Sequence, residues 1–226
     1  MGYAAEPVVL GEVEVVRMTW ELVGARGRPL LPPGLYLTAP ALVTVQAIRC
    51  AGGSGDLGAF SVVTVALSCR SGARARAVLV AGAVEADPPT MARLVDGWAF
   101  PTTHAGISIE RRYDAARVTV PGLVDATVRD LRPIGVHDTQ FVVGLHPTTI
   151  DDAARLVQVD LDIEPRRAER GRAVLHELCL TGGDGEPLTA GIEVAGVVAV
   201  ATATLPRVRF VLDPAIEPHL GTTIVG

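Results

Sequence analysis

Ala41-Leu42-Val43-Thr44-Val45-Gln46-Ala47-Ile48-Arg49-Cys50 alternates with a period of two, and so do residues 60–69, F-S-V-V-T-V-A-L-S-C. Successive side chains of a strand point to opposite faces, so this period marks strands and not helices. The pattern extends in both directions. Residues 12–20 read E-V-E-V-V-R-M-T-W, and further strand-like runs cover 75–83, 116–120, 141–145, 156–163, 173–180 and 197–212. Val, Ile and Thr are frequent in them, as suits a pleated surface.

Turn chemistry separates the runs: Leu31-Pro32-Pro33-Gly34, Gly52-Gly53-Ser54-Gly55-Asp56, Ser71-Gly72 and Gly182-Gly183-Asp184-Gly185. Each is short and flanked by strands, so these are loops within one domain, not linkers. One helix is predicted, over 88–98, where Pro89 suits the first turn and Met91, Leu94 and Val95 share a face. A single helical turn is expected over 151–156. Nine or more strands around one helix imply a closed or two-layered sheet, which removes exposed edges. No repeat or composition shift divides the 226 residues, so the chain reads as one domain with 1–10 and 214–226 as terminal extensions.

The 49% hydrophobic content supports a packed core, and no apolar run reaches the roughly 20 residues of a membrane helix. The first residues have no basic-then-apolar leader, so a cytoplasmic protein is expected. A net charge of −5 argues against a nucleic-acid partner. The arginine clusters at Arg111, Arg112 and Arg117 and at Arg166, Arg167, Arg170 and Arg172 are interleaved with acids, as on a solvated face. Cys50, Cys69 and Cys179 form no CxxC pair and sit among apolar neighbours, so buried reduced thiols are expected. His137-Asp138 with His146 has no metal-site spacing, and Asp160, Asp162 and Glu164 beside Arg166 and Arg167 read as a charged outer face. No metal and no cofactor is expected.

Four stretches, in order, resemble the acetoacetate decarboxylase family. They are Leu31-Pro32-Pro33-Gly34-Leu35 leading to Ala39-Pro40-Ala41-Leu42-Val43; Asp56-Leu57-Gly58-Ala59-Phe60-Ser61; Trp98-Ala99-Phe100-Pro101-Thr102-Thr103-His104-Ala105-Gly106; and residues 204–213, T-L-P-R-V-R-F-V-L-D. The resemblance implies a mainly β (α+β) fold, a double-layered β-cone or barrel with few helices. It also implies an open interior holding the active site and assembly as a homo-oligomer. The family's Schiff-base lysine falls at Thr102, its neighbouring lysine at Thr103, one glutamate at Gln46, a second near Val62, and an N-terminal arginine near Val13. All 20 basic side chains of this chain are Arg. A Schiff base needs a primary amine, which only Lys supplies from a side chain.

The resemblance thus points to a neutral, aromatic-walled cavity. Gln46, Phe60, Val62, Trp98, Phe100, Thr102 and Thr103 are its candidate substrate-binding residues. His104 is the candidate catalytic residue, being the one group in that loop that exchanges a proton near neutral pH. The expected function is a Schiff-base-independent cyclase- or isomerase-type tailoring step on a largely neutral, polyketide-like or oxo substrate held by shape and a few hydrogen bonds. Two alternatives stay open: a non-catalytic small-molecule binding protein, and an aldolase or lyase using His104 as acid-base.

Overall fold

The computed structural model describes residues 3–24, 26–54, 57–71, 74–139, 144–150, 152–182, 185–216 and 218–225. In chain order its elements are β1 (Val8–Leu22), β2 (Tyr36–Leu37), β3 (Leu42–Cys50), β4 (Phe60–Ser71), β5 (Arg74–Ala86), α1 (Pro88–Trp98), β6 (Ser108–Arg111), β7 (Ala115–Val120) and β8 (Val124–Ile134). They continue with β9 (Gly144–Ile150), β10 (Ala153–Val159), β11 (Asp162–Leu178), β12 (Ala190–Leu205), β13 (Phe210–Leu212), α2 (Pro218–Gly221) and β14 (Thr222–Ile224). The strands form one sheet in the order β14-β13-β10-β9-β5-β4-β3-β1-β12-β11-β8-β7-β6, with β2 beside β4. Pairing is antiparallel except between β5 and β9.

The sheet does not close among the described residues, since β14 and β6 end the path without pairing to each other. It folds over itself instead, and its strands serve two cores. On β3, Val43, Val45 and Ala47 face one core; on β4, Val63, Val65 and Leu67 do the same. The covering layer there carries Val118 and Val120 of β7 and Ala126 and Val128 of β8. The opposite face, with Ile48, Phe60 and Val62, turns toward a second core with Leu94, Trp98 and Phe100. β1 divides the same way: Val16, Met18 and Trp20 enter the first core, Val13 and Val15 the second.

Helix α1 begins as expected. The Asp87 side chain accepts from the Thr90 N–H at 2.8 Å, and prolines fill the first turn. It ends at Ala99, whose φ of 51° redirects the chain across β5. There Val84 N–H donates to Thr103 O at 2.9 Å, and Pro101 lies over Gly82, where a Cβ would come 2.5 Å from Pro101 Cγ.

Several expectations need correction. Of the run 151–156, residue 151 lies outside the described residues and 152–156 form no helical turn: Asp152, at φ 59°, turns the β9–β10 hairpin and Ala153 already pairs with Ile150. The run 156–163 is broken after Val159, and the run 197–212 is broken at Pro206, where β12 ends. β6, β8 and the first half of β11 were not expected as strands. Of the three thiols, Cys50 and Cys69 are buried but Cys179 is exposed. Of the run 141–145, residues 141–143 lie outside the described residues.

Candidate functional site

The polar faces of β3 and β4 are half-buried and turn toward a cavity. Leu42, Thr44, Gln46 and Ile48 of β3 and Val62, Thr64, Ala66 and Ser68 of β4 line one cavity of about 120 Å³. That is several times the roughly 30 Å³ share of one water molecule. Register sets its rows. Gln46 pairs with Arg17 on β1 and with Thr64 on β4, and Thr64 pairs with Gly82 on β5. In the next row Thr44 lies between Thr19 and Ala66, and its Oγ1 is 3.1 Å from Thr19 Oγ1. The Thr64 hydroxyl donates to Gln46 O at 3.4 Å. Ser68 Oγ accepts from the Leu42 N–H at 2.8 Å.

Arg17 shares the face of β1 that carries Val13 and Val15, and it lines the cavity. Burial pulls its guanidinium below the ordinary arginine value, yet a guanidinium stays protonated in proteins. The expected neutral cavity is therefore corrected: it has two cations in its wall, Arg17 and, from β5, Arg76, whose Nη2 donates to Gln158 Oε1 at 3.4 Å. No Asp or Glu is among the described residues lining it. The family's N-terminal arginine was expected near Val13, which is core at 1% exposure, and every ionisable group was expected to be lost. An arginine does face the cavity, four residues further along the strand.

Besides the two arginines, His146 on β9 lines the cavity. Its Nδ1 lies 2.9 Å from Trp98 O. A carbonyl only accepts, so Nδ1 carries the proton and Nε2 keeps its lone pair. The imidazole and the Phe100 ring pack in a T-shaped arrangement, with centroids 5.0 Å apart and an interplanar angle of 69°. Desolvation pushes the imidazole down to about 4, against the opposing pull of the Trp98 and Ala99 carbonyls. At neutral pH His146 is an uncharged acceptor of fixed tautomer in the cavity wall.

The structure brings together only some of the residues singled out from sequence. Gln46, Val62 and Phe100 line the cavity. Phe60 is packed in the second core. Trp98 is core as well, at 1% exposure, with Nε1 donating to Pro206 O at 2.6 Å. It contributes its carbonyl to the site, as the anchor of His146. Thr102, Thr103 and His104 are exposed and not part of this cavity wall; the segment runs beside Val84, with which His104 forms an isolated bridge. Sequence reasoning missed Arg17, Arg76 and the role of His146. Parity was the available signal for Arg17, because it shares the face of Thr19, whose partner Thr44 alternates with core valines. His146 had no signal, since its partner is a backbone carbonyl 48 residues away. Among the described residues no group of three or more His, Cys, Asp or Glu is arranged to hold a metal ion.

No protein-family model matches the chain, and no curated protein does. Solved structures do match. Acetoacetate decarboxylase from Legionella pneumophila aligns with a TM-score of 0.73 at 20% identity, covering 92% of this chain and 88% of that one. The enduracididine biosynthesis enzyme MppR, in complex with pyruvate, aligns with a TM-score of 0.68 at 22% identity, covering 90% and 89%. An acetoacetate decarboxylase-like enzyme from Sphingomonas wittichii RW1 aligns at 0.64 and 13% identity, covering 90% and 92%. With its two cores, its single long helix and the cavity on the polar face of β3 and β4, the chain has the acetoacetate decarboxylase-like fold.

Proposed function

We propose that this protein is a Schiff-base-independent enzyme that enolises a small oxo acid in the β3–β4 cavity and completes an isomerisation or cyclisation from the enolate. The observation that carries this reading is the pairing of a half-buried cation, Arg17, with a neutral imidazole of fixed tautomer, His146, in one cavity. The fold neighbours are enzymes, and MppR holds pyruvate, a small oxo acid.

The anionic end of the substrate is held at Arg17; the Gln46 amide donates to its oxo oxygen, and so does the Thr64 hydroxyl once it turns from its long 3.4 Å bond to Gln46 O. The C–H bond next to the carbonyl breaks, its proton passes to Nε2 of His146, and the electron pair moves onto the oxo oxygen as an enolate. An imidazole of pKa about 4 is a weak base at rest. A bound anion and a developing enolate raise its proton affinity, because an opposite charge nearby favours the charged form. Return of the proton to a different carbon is an isomerisation; attack of the enolate carbon on a second carbonyl of the same molecule opens its π bond to an alkoxide, which takes the proton back from Nε2, and is a cyclisation. Neither outcome needs an amine or an external reactant. The cavity's cations and modest volume favour a small acid over the largely neutral, polyketide-like substrate expected from sequence.

The test is deuterium exchange at the methyl of pyruvate in D₂O, followed by proton NMR. Exchange above the uncatalysed rate is expected, falling about 10²–10⁴-fold in His146→Gln. Pyruvate binding without exchange would make the protein a carrier and end the enzymatic reading.

A further inference from the structure

Gly144 and His146 lie two residues apart on β9, and both line the cavity. Gly144 stands mid-sheet, paired with Ala77 on β5 and with Val159 on β10, which line the same cavity. A glycine inside a strand weakens it, since it adds backbone freedom and packs nothing. Here no left-handed backbone demands it, because Gly144 is not among the positive-φ residues. What the missing side chain supplies is space. A Cβ on Gly144 would fall 3.0 Å from His146 Nε2 and 3.3 Å from its Cδ2, close enough to crowd the nitrogen that carries the lone pair. The ring's other approaches are occupied: Nδ1 is tied to Trp98 O, and Phe100 packs against it in a T-shaped arrangement.

We propose that Gly144 is a specificity-determining residue, whose absent side chain is the port through which the reacting carbon reaches Nε2 of His146. This rests on the enolisation reading given above. Space at this port is about one methyl group, so the reacting carbon is unbranched. Pyruvate and 2-oxobutanoate fit, whereas 3-methyl-2-oxobutanoate, which has two methyl groups on that carbon, is excluded. Glycine close to a reacting atom serves this purpose in strands because any other residue projects a side chain into the cavity.

The experiment compares the full chain with Gly144→Ala and Gly144→Ser, using pyruvate as the probe. Methyl exchange should fall at least about tenfold in both variants, the serine hydroxyl being placed to donate to Nε2, while the pyruvate dissociation constant changes less than about threefold. A ¹⁵N spectrum of His146 gives a readout independent of turnover. Pyruvate should shift the Nε2 resonance in the parent and leave it unshifted in the variants. Parent-like exchange in both variants overturns the proposal, as does a parallel loss of pyruvate binding and exchange. Equal rates for 3-methyl-2-oxobutanoate and 2-oxobutanoate in the parent overturn it too. Failure of the parent to exchange pyruvate refutes the functional reading instead. The Gly144 port is then decided by the Nε2 shift alone: a shift in the parent lost in the variants supports it, and no shift in the parent overturns it.

Discussion

Acid should weaken this fold through one side chain. His146 is 7% exposed, and its imidazole is pushed from 6.5 down to about 4 by desolvation. The unfolded chain therefore binds a proton between those pH values that the folded chain refuses, so stability is fully present above 6.5 and declines as pH falls toward 4. At about 1.4 kcal/mol per pH unit the full gap is worth about 3 kcal/mol, of which about 2 should appear between pH 7 and pH 5. Carboxylates add their own losses in acid; Asp125, held low chiefly by Arg117, is one, but these are common to parent and variant. Urea unfolding of the parent and of His146→Gln at pH 7, 6 and 5 isolates the histidine. The variant should be less stable at pH 7, because Nδ1 no longer donates to Trp98 O, and the difference should shrink by about 2 kcal/mol by pH 5. A difference that stays constant across this range would mean that His146 protonates without cost, and the buried neutral imidazole would be refuted.

The other expectations are direct. Borohydride reduction in the presence of pyruvate or acetoacetate should leave every side chain unmodified by mass spectrometry, because no lysine is present to form an imine. Arg17→Gln should weaken pyruvate binding about tenfold or more by calorimetry, the loss of a charge-assisted hydrogen bond in a half-buried site. His104→Gln, at an exposed position, should leave pyruvate exchange near the parent rate; a loss there with His146→Gln unaffected would move the chemistry to the 102–104 loop. Trp98→Ala should cost about 3–5 kcal/mol in urea unfolding, as a core deletion that also frees the Pro206 carbonyl.

The strands were legible where apolar alternation is uninterrupted, as in β1, β3, β4 and β7. β8 keeps the same alternation at Val124, Ala126 and Val128, but Asp125 and Arg129 on its outer face, and Asp130 at a bulge with φ 57°, masked it. The first half of β11 is hidden by charge for the same reason: Arg167 and Glu169 pair on an exposed face of a paired strand. A charge-rich strand and a charge-rich loop have the same composition, and only the partner strand separates them. The site suffered from a related ambiguity. Polar residues alternating with valine read as solvent-facing, and nothing local tells a cavity from bulk water. Gln46 and Val62 entered through the resemblance, whereas Arg17 needed the β1–β3 pairing to be known.

That pairing also divides the two faces of one strand into separate duties, and the division can be tested. Val45 is 0% exposed in the first core, while Thr44 and Gln46 on either side of it face the cavity. Thr64→Val keeps the shape and removes only a hydroxyl that donates to Gln46 O at 3.4 Å, so its stability cost should be under about 1 kcal/mol. Binding of pyruvate should nevertheless weaken, since that hydroxyl is offered to the oxo oxygen. Val65→Ala, the next residue and 0% exposed, should do the reverse: lose about 1–3 kcal/mol through the cavity it leaves, with binding retained. The two changes act on opposite faces, so in the double variant their stability effects should add within about 0.5 kcal/mol. A Thr64→Val protein that binds pyruvate like the parent would remove Thr64 from the site. A Val65→Ala protein that keeps its stability but loses binding would mean the two faces are not separate, and that the cavity depends on the core beneath it.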